Sequence, residues 1–299
     1  MNTPLRLMSA LLAATGIYRA PKRLRRARPE PLAAQSVLGT ASPDEVSFPS
    51  RDGRARVHAS LLTAAQADAA VVLVVGQVGC WGSDTRVEGR SLHVRTMAQA
   101  LRARGMTVLV TRLRGHGEAE RHDVLGAVDY LLARGFRAGR IGVIGASIGA
   151  TAALLAAAEE PAVSAVVADS ARIDPRAVAH RPSELLLPLA RWMGRALSGV
   201  DLGCRPLLGD LATLRNRAVM VIHGRGDRVV APSVAQELAK ACGARLWLTA
   251  SHSHAGTLHE ALPLYITRVV DFFCQQLVVP YAEPLMVPAA AQTWEHAAA

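Results

Sequence analysis

Aromatic side chains are scarce in this chain, at 4% of residues. Proteins that grip single-stranded nucleic acid stack bases on aromatic rings, so the scarcity counts against that class of partner. The four cysteines, Cys80, Cys204, Cys242 and Cys274, lie far apart and form no C-x-x-C pair. Such spacing argues against a disulfide framework and a cysteine-built zinc module, and fits free thiols in the reducing cytoplasm. A membrane-spanning run is missing near the start as well. The apolar stretch from Leu7 to Tyr18 falls short of the roughly 20 residues a helix needs to cross a bilayer.

Acidic residues are absent from positions 1–28, which hold seven basic ones: Arg6, Arg19, Lys22, Arg23, Arg25, Arg26 and Arg28. Removing these seven from the net charge of +10 leaves +3 for the other 271 residues. The basicity therefore belongs to a leader and not to a nucleic-acid groove. The basic block follows the apolar run, the reverse of a secretory signal peptide. Two readings stay open for residues 1–28: a peripheral membrane contact on anionic lipids of the cytoplasmic leaflet, or a solvated arm.

What is present is a folded-protein composition, 51% hydrophobic with 19% charged residues. Past a linker ending near residue 43, "SRDGR" reads as a hairpin turn between two strands. Strand and helix patterns then alternate. "AAVVLVV" (69–75), "MTVLVT" (106–111), "RIGVIG" (140–145), "AVSAVVADS" (162–170), "AVMVIHG" (218–224) and "RLWLTA" (245–250) read as strands. Helical patterns lie around 91–104 and 122–134, in "ASIGATAALLAAAEE" and in the closing "LPLYITRVVDFFCQQL". This rhythm implies an α/β domain over 44–279, with a mostly parallel sheet and helices on both faces. The stretch 172–215 breaks it and reads as a small helical cap insertion, whereas 280–299 shows no period.

"GASIG" (145–149) is a G-x-S-x-G placed between a strand and a helix. In that context a sharp turn lifts the Ser147 hydroxyl above the sheet edge. The following helix start aims the Ile148 amide at any oxyanion that forms there. The bland alternative is a packing turn. A serine needs a base and a group to orient that base, and this fold supplies acid and histidine in that chain order. Asp227 sits at a loop tip after "VMVIHG", and Asp169 at the end of an earlier strand is a second candidate acid. His252, His254 and His259 crowd the segment after the last core strand. His252-x-His254 also suits a metal, but no third ligand is at hand without dismantling the serine arrangement.

The pieces "EVSFPSRDG", "LRGHGEAE", "DVLGAVDYLLARG", "IGVIGASIGATAALLAA", "AVVADSARID" and "VIHGRGDRVVAP" resemble the α/β-hydrolase superfamily in order and spacing. A closing histidine, P-x-Y and V-x-F complete the resemblance over about 44–277. It is nearest the Bem46-like and prolyl-oligopeptidase-like serine hydrolases, relatives of dienelactone hydrolase and acylaminoacyl peptidase. The resemblance implies the α/β-hydrolase fold, with Ser147 as nucleophile and Asp227 as acid. It implies a base about eleven residues before the last helix's tyrosine, which from Tyr265 gives His254, 27 residues beyond Asp227. His252 remains a competitor, and His259 falls near the start of the final helix. The second oxyanion amide maps to Gln77, although Val75 stands where many relatives carry histidine. Cys80 and Trp81 read as pocket wall, and His116 as a turn residue beside the pocket.

The expectation is a serine hydrolase acting by acyl transfer on a small ester or thioester, with no metal or organic cofactor required. A peptidase of the same fold and a non-catalytic binding protein are the rivals. Arg176, Arg181, Arg191 and Arg195 in the apolar cap would suit an acyl chain with an anionic head.

Overall fold

The computed structural model of the protein describes residues 43–75, 88–113, 120–172, 211–277 and 295–296. The leader 1–28, the body of the cap (173–210, with its four arginines), Gln77, Cys80, Trp81 and His116 lie outside the described residues, as does most of the tail.

Strand β3 (Ala69–Val75) shows how the sheet is built. All seven residues are buried, and they alternate between two apolar clusters. Ala70, Val72 and Val74 join one, while Ala69, Val71, Leu73 and Val75 join the other. A strand can be apolar throughout only when both faces are covered. The helices supply that cover. Val124, Leu125 and Val128 of α2 (Glu120–Ala133) and the alanines of α3 (Ile148–Glu159) fill the first cluster. Met97 and Leu101 of α1 (Glu88–Ala103), with Val269, Phe272 and Phe273 of the final helix (Leu262–Gln276), fill the second.

β1 (Asp44–Pro49) and β2 (Arg56–Leu62) form the expected antiparallel hairpin, with Gly53 at φ 68° in its turn. The remaining core strands are β4 (Met106–Arg112), β5 (Ile141–Ala146), β6 (Val163–Asp169), β7 (Ala218–Gly224) and β8 (Arg245–Thr249). With a last short strand β9 at 295–296, sheet order is β1-β2-β4-β3-β5-β6-β7-β8-β9, and β3 to β8 are mutually parallel. The two-residue β9 (Glu295–His296) pairs antiparallel with β8, so part of the aperiodic tail closes the sheet edge. From β3 the chain steps outward to β4, then returns to lay β5 on the other side. Parallel α/β sheets bind ligands at such a reversal, beyond the carboxyl ends of the strands.

The opposite edge collects helix C-termini. Arg140 donates to the Leu277 carbonyl at 2.6 Å, and Arg215 to the Ala241 carbonyl at 3.1 Å at the end of α4 (Pro232–Cys242). Arg217 donates to the carbonyls of Glu160 and Val163 at 2.7 and 2.6 Å. The carbonyls of Leu277, Ala241 and Glu160 lie at helix ends, where they lack an intrahelical partner and carry the negative end of the dipole; Val163 opens β6. The Cys242 thiol is buried, and its pKa is pushed up to about 12 by that burial. Among the described residues, no helix is long and apolar enough to cross a membrane.

Candidate active site

Ser147 alone connects β5 to α3. Its φ of 53° and ψ of −116° lie where L-residues rarely go. Such a residue costs on the order of 1–3 kcal/mol and persists only when its surroundings over-determine it. They do so here. The Ser147 N–H donates to the Asp169 carbonyl at 2.8 Å, and the Thr151 N–H to the Ser147 carbonyl at 3.1 Å. The flanking glycines permit close approach. A Cβ on Gly145 would sit 2.3 Å from the Gly149 oxygen, and one on Gly149 would sit 3.1 Å from the Val74 oxygen. The Ile148 N–H belongs to the first turn of α3, where amides have no intrahelical acceptor.

The loop after β7 carries Asp227, and the loop after β8 carries the histidines. The two loops are zipped together by the Arg225 N–H to Thr249 carbonyl bond at 2.8 Å and the Gly226 N–H to Ser251 carbonyl bond at 2.9 Å. Gly226 is required because a Cβ there would lie 2.2 Å from His252 Nδ1. His252 thus covers the acid turn, on the exposed rim.

His254 points inward. Asp227 Oδ2 lies 2.7 Å from His254 Nδ1, and Ser147 Oγ lies 2.8 Å from His254 Nε2. A carboxylate only accepts, so Nδ1 carries the proton and Nε2 is free to accept from the serine hydroxyl. Asp227 Oδ1 accepts the amides of Val229 at 2.8 Å and Val230 at 3.0 Å. Burial alone would raise this carboxyl. The hydrogen bond and charge of His254, with the two amides, outweigh burial and hold it below the ordinary carboxylate range.

A fourth histidine stands behind Asp227. His223, wholly buried on β7, has Nε2 3.0 Å from the Val230 carbonyl and 3.5 Å from Asp227 Oδ2. Burial lowers its pKa below the ordinary value. A neutral ring that donates from Nε2 pins the acid loop without adding charge.

The other sequence candidates separate cleanly. His259 lies in α5 (Thr257–Glu260), a separate short turn ahead of the final helix α6 (Leu262–Gln276). Its Nδ1 is 2.5 Å from His93 Nδ1 on α1. Asp169 is not the acid partner of His254. Its carboxylate is fully buried and accepts from Ser170 Oγ at 2.9 Å and Tyr265 Oη at 3.0 Å. Among the described residues, no group of three or more His, Cys, Asp or Glu side chains converges as a metal set. His223 and Ser170 were not singled out by sequence reading. A histidine inside an apolar strand and a serine after an aspartate carry no distinctive spacing.

The sequence of residues 92–277 matches the prolyl oligopeptidase family, well over half of the chain. The chain belongs to that family. It is a hydrolase of the α/β-hydrolase superfamily. Its structure is similar to an esterase of Pyrococcus furiosus, with TM-score 0.65 and 19% identity, over 87% of this chain and 100% of that one. It is also similar to the esterase domain of a Rhodothermus marinus protein, with TM-score 0.52 and 25% identity, over 75% and 98%. An acylaminoacyl peptidase of Pyrococcus horikoshii aligns with TM-score 0.55 and 14% identity, over 81% of this chain but 42% of that one. No curated protein sequence matches it.

Proposed function

We propose that the chain is a serine esterase, acting by acyl transfer through Ser147, His254 and Asp227. The observation that carries this reading is the unbroken hydrogen-bonded line from Asp227 Oδ2 through both ring nitrogens of His254 to Ser147 Oγ, at 2.7 and 2.8 Å. Ser147 Oγ attacks the ester carbonyl while His254 Nε2 takes its proton. Asp227 holds the imidazole in the tautomer that can accept, and steadies the imidazolium that results. His254 then protonates the leaving alcohol. Water, deprotonated by His254, cleaves the acyl-serine to release the acid and restore the hydroxyl. The oxyanion is held by the Ile148 amide at the helix start, with the Gln77 amide assigned as the second donor on sequence position.

Two of the similar structures are esterases matched over 98–100% of their own length, which supports ester over peptide substrates. The family match and the acylaminoacyl peptidase support a peptidase reading instead. Parallel kcat/KM measurements on p-nitrophenyl acyl esters and aminoacyl p-nitroanilides separate them. We expect turnover of esters and little or none of anilides; preferential anilide cleavage would overturn the esterase assignment.

A further inference from the structure

The end of β6 bonds to Ser147 and to the segments that carry Asp227 and His254. Asp169 accepts the Ser147 N–H through its carbonyl at 2.8 Å. Ser170 donates its own N–H to the Ile222 carbonyl of β7, the strand that leads to Asp227, at 2.8 Å. Its Oγ accepts the N–H of Ala255, the residue after His254, at 3.2 Å. That hydroxyl has one proton, and it goes to Asp169 Oδ1 at 2.9 Å. Asp169 Oδ2 is held in turn by Tyr265 Oη at 3.0 Å. Burial first, and the Asp169 charge second, hold the Tyr265 phenol well above its ordinary value, so it stays a donor.

The conformations match this connectivity. Ser170 has φ 52° and Ala255 φ 51°, a left-handed region that favours glycine, yet neither is glycine. Glycine at 170 would remove the strain and the hydroxyl together. A serine kept there is accounted for if the hydroxyl is needed.

We propose that Tyr265, Asp169 and Ser170 form a positioning relay: tyrosine and carboxylate fix the Ser170 hydroxyl, and that hydroxyl fixes the Ala255 amide so that His254 meets Ser147. The inference rests on the serine-hydrolase reading. None of the three touches the reacting atoms. Their effect reaches catalysis through the geometry of the base, where a small misplacement costs up to roughly 100-fold in rate.

The test is kcat and KM on a p-nitrophenyl ester, normalised to active sites titrated with a fluorophosphonate, with melting temperatures alongside. Ser170→Gly removes the hydroxyl at a φ glycine accepts. It should lower kcat about tenfold with KM nearly unchanged, and weaken the downfield proton resonance of the His254 Nδ1 hydrogen bond. Tyr265→Phe leaves the Ser170–Asp169 bond in place, and should lower kcat about threefold; it carries the test should Ser170→Gly not fold. Unchanged kcat per titrated site with an intact resonance, whatever the melting temperature, would overturn the relay alone. A folded wild type that neither reacts with the fluorophosphonate nor cleaves the ester would overturn the hydrolase reading and the relay with it.

Discussion

The two edges of the parallel sheet handle backbone strain and charge in opposite ways. At the edge where the strands begin, positive φ falls mainly on glycine: Gly105, Gly135, Gly139 and Gly243. Arg140, Arg215 and Arg217 there each meet the carbonyl end of a helix. At the edge where the strands end, Ser147, Ser170 and Ala255 hold positive φ without being glycine. Only Gln66, in the turn before β3, does so elsewhere among the described residues. The buried polar groups Ser147, Asp169 and Asp227 also gather at this second edge. One edge relaxes the chain and neutralises dipoles. The other stores strain around a line of proton donors and acceptors. Strain of this kind is expected where geometry serves chemistry.

Substitutions at the two edges should therefore fail in different ways. The largest effect is expected for Ser147→Ala, which should lower kcat by about a million-fold on an ester substrate, with thermal stability preserved or raised. Asp227→Asn should lower kcat by about 10,000-fold in the same assay, because His254 Nδ1 would lose the carboxylate that fixes the proposed base's tautomer. Gly145→Ala sits between activity and stability. Its Cβ would press on the Gly149 backbone, so denaturant titration should show a loss of about 1–3 kcal/mol. Arg217→Met, at the other edge, should cost about 1 kcal/mol in the same titration and leave kcat unchanged. Equal activity losses at both edges would erase the distinction.

The comparison also has a pH dependence. Burial holds His223 below its ordinary 6.5, so above that pH both folded and unfolded chains carry it neutral. As pH falls below 6.5, the unfolded chain takes up a proton that the folded one resists, and stability declines. His93, also lowered by burial, adds in the same direction. Asp227, held below its ordinary value, adds a second loss at lower pH as it is protonated. Melting temperature measured from pH 7.5 to 5 should fall, and His223→Asn should flatten part of that fall. An unchanged slope in the variant would show that His223 does not contribute to the fall.

Much of this could be read from the sequence because the signals are local. A run such as Ala69–Val75 is apolar on both faces, which only a covered strand permits. Ser147 is bracketed by glycines that a tight turn needs, and Asp227 follows a strand and a glycine turn. His254 is separable from His252 in the sequence only by its distances to Tyr265 and Asp227, and geometry gives the reason: His252 lies over Gly226 while His254 reaches inward. What spacing could not convey was the use of Asp169. A carboxylate at a strand end looks the same whether it faces histidine or, as here, a tyrosine 96 positions away. Positive φ at Ser170 and Ala255 is equally silent, since nothing in "DSA" or "SHA" demands it. The short turn holding His259 and the β9 pairing depend on contacts between distant segments.

We propose Ser147 as the nucleophile and His254 as the group that activates it. Fluorophosphonate labelling followed by peptide mass mapping tests this most directly, across wild type, Ser147→Ala, His254→Ala and His252→Ala. We expect a single modified residue, Ser147, in wild type and in His252→Ala, with labelling abolished in the other two. A folded wild type that stays unlabelled, or labelling that survives His254→Ala and is lost in His252→Ala, would contradict this proposal.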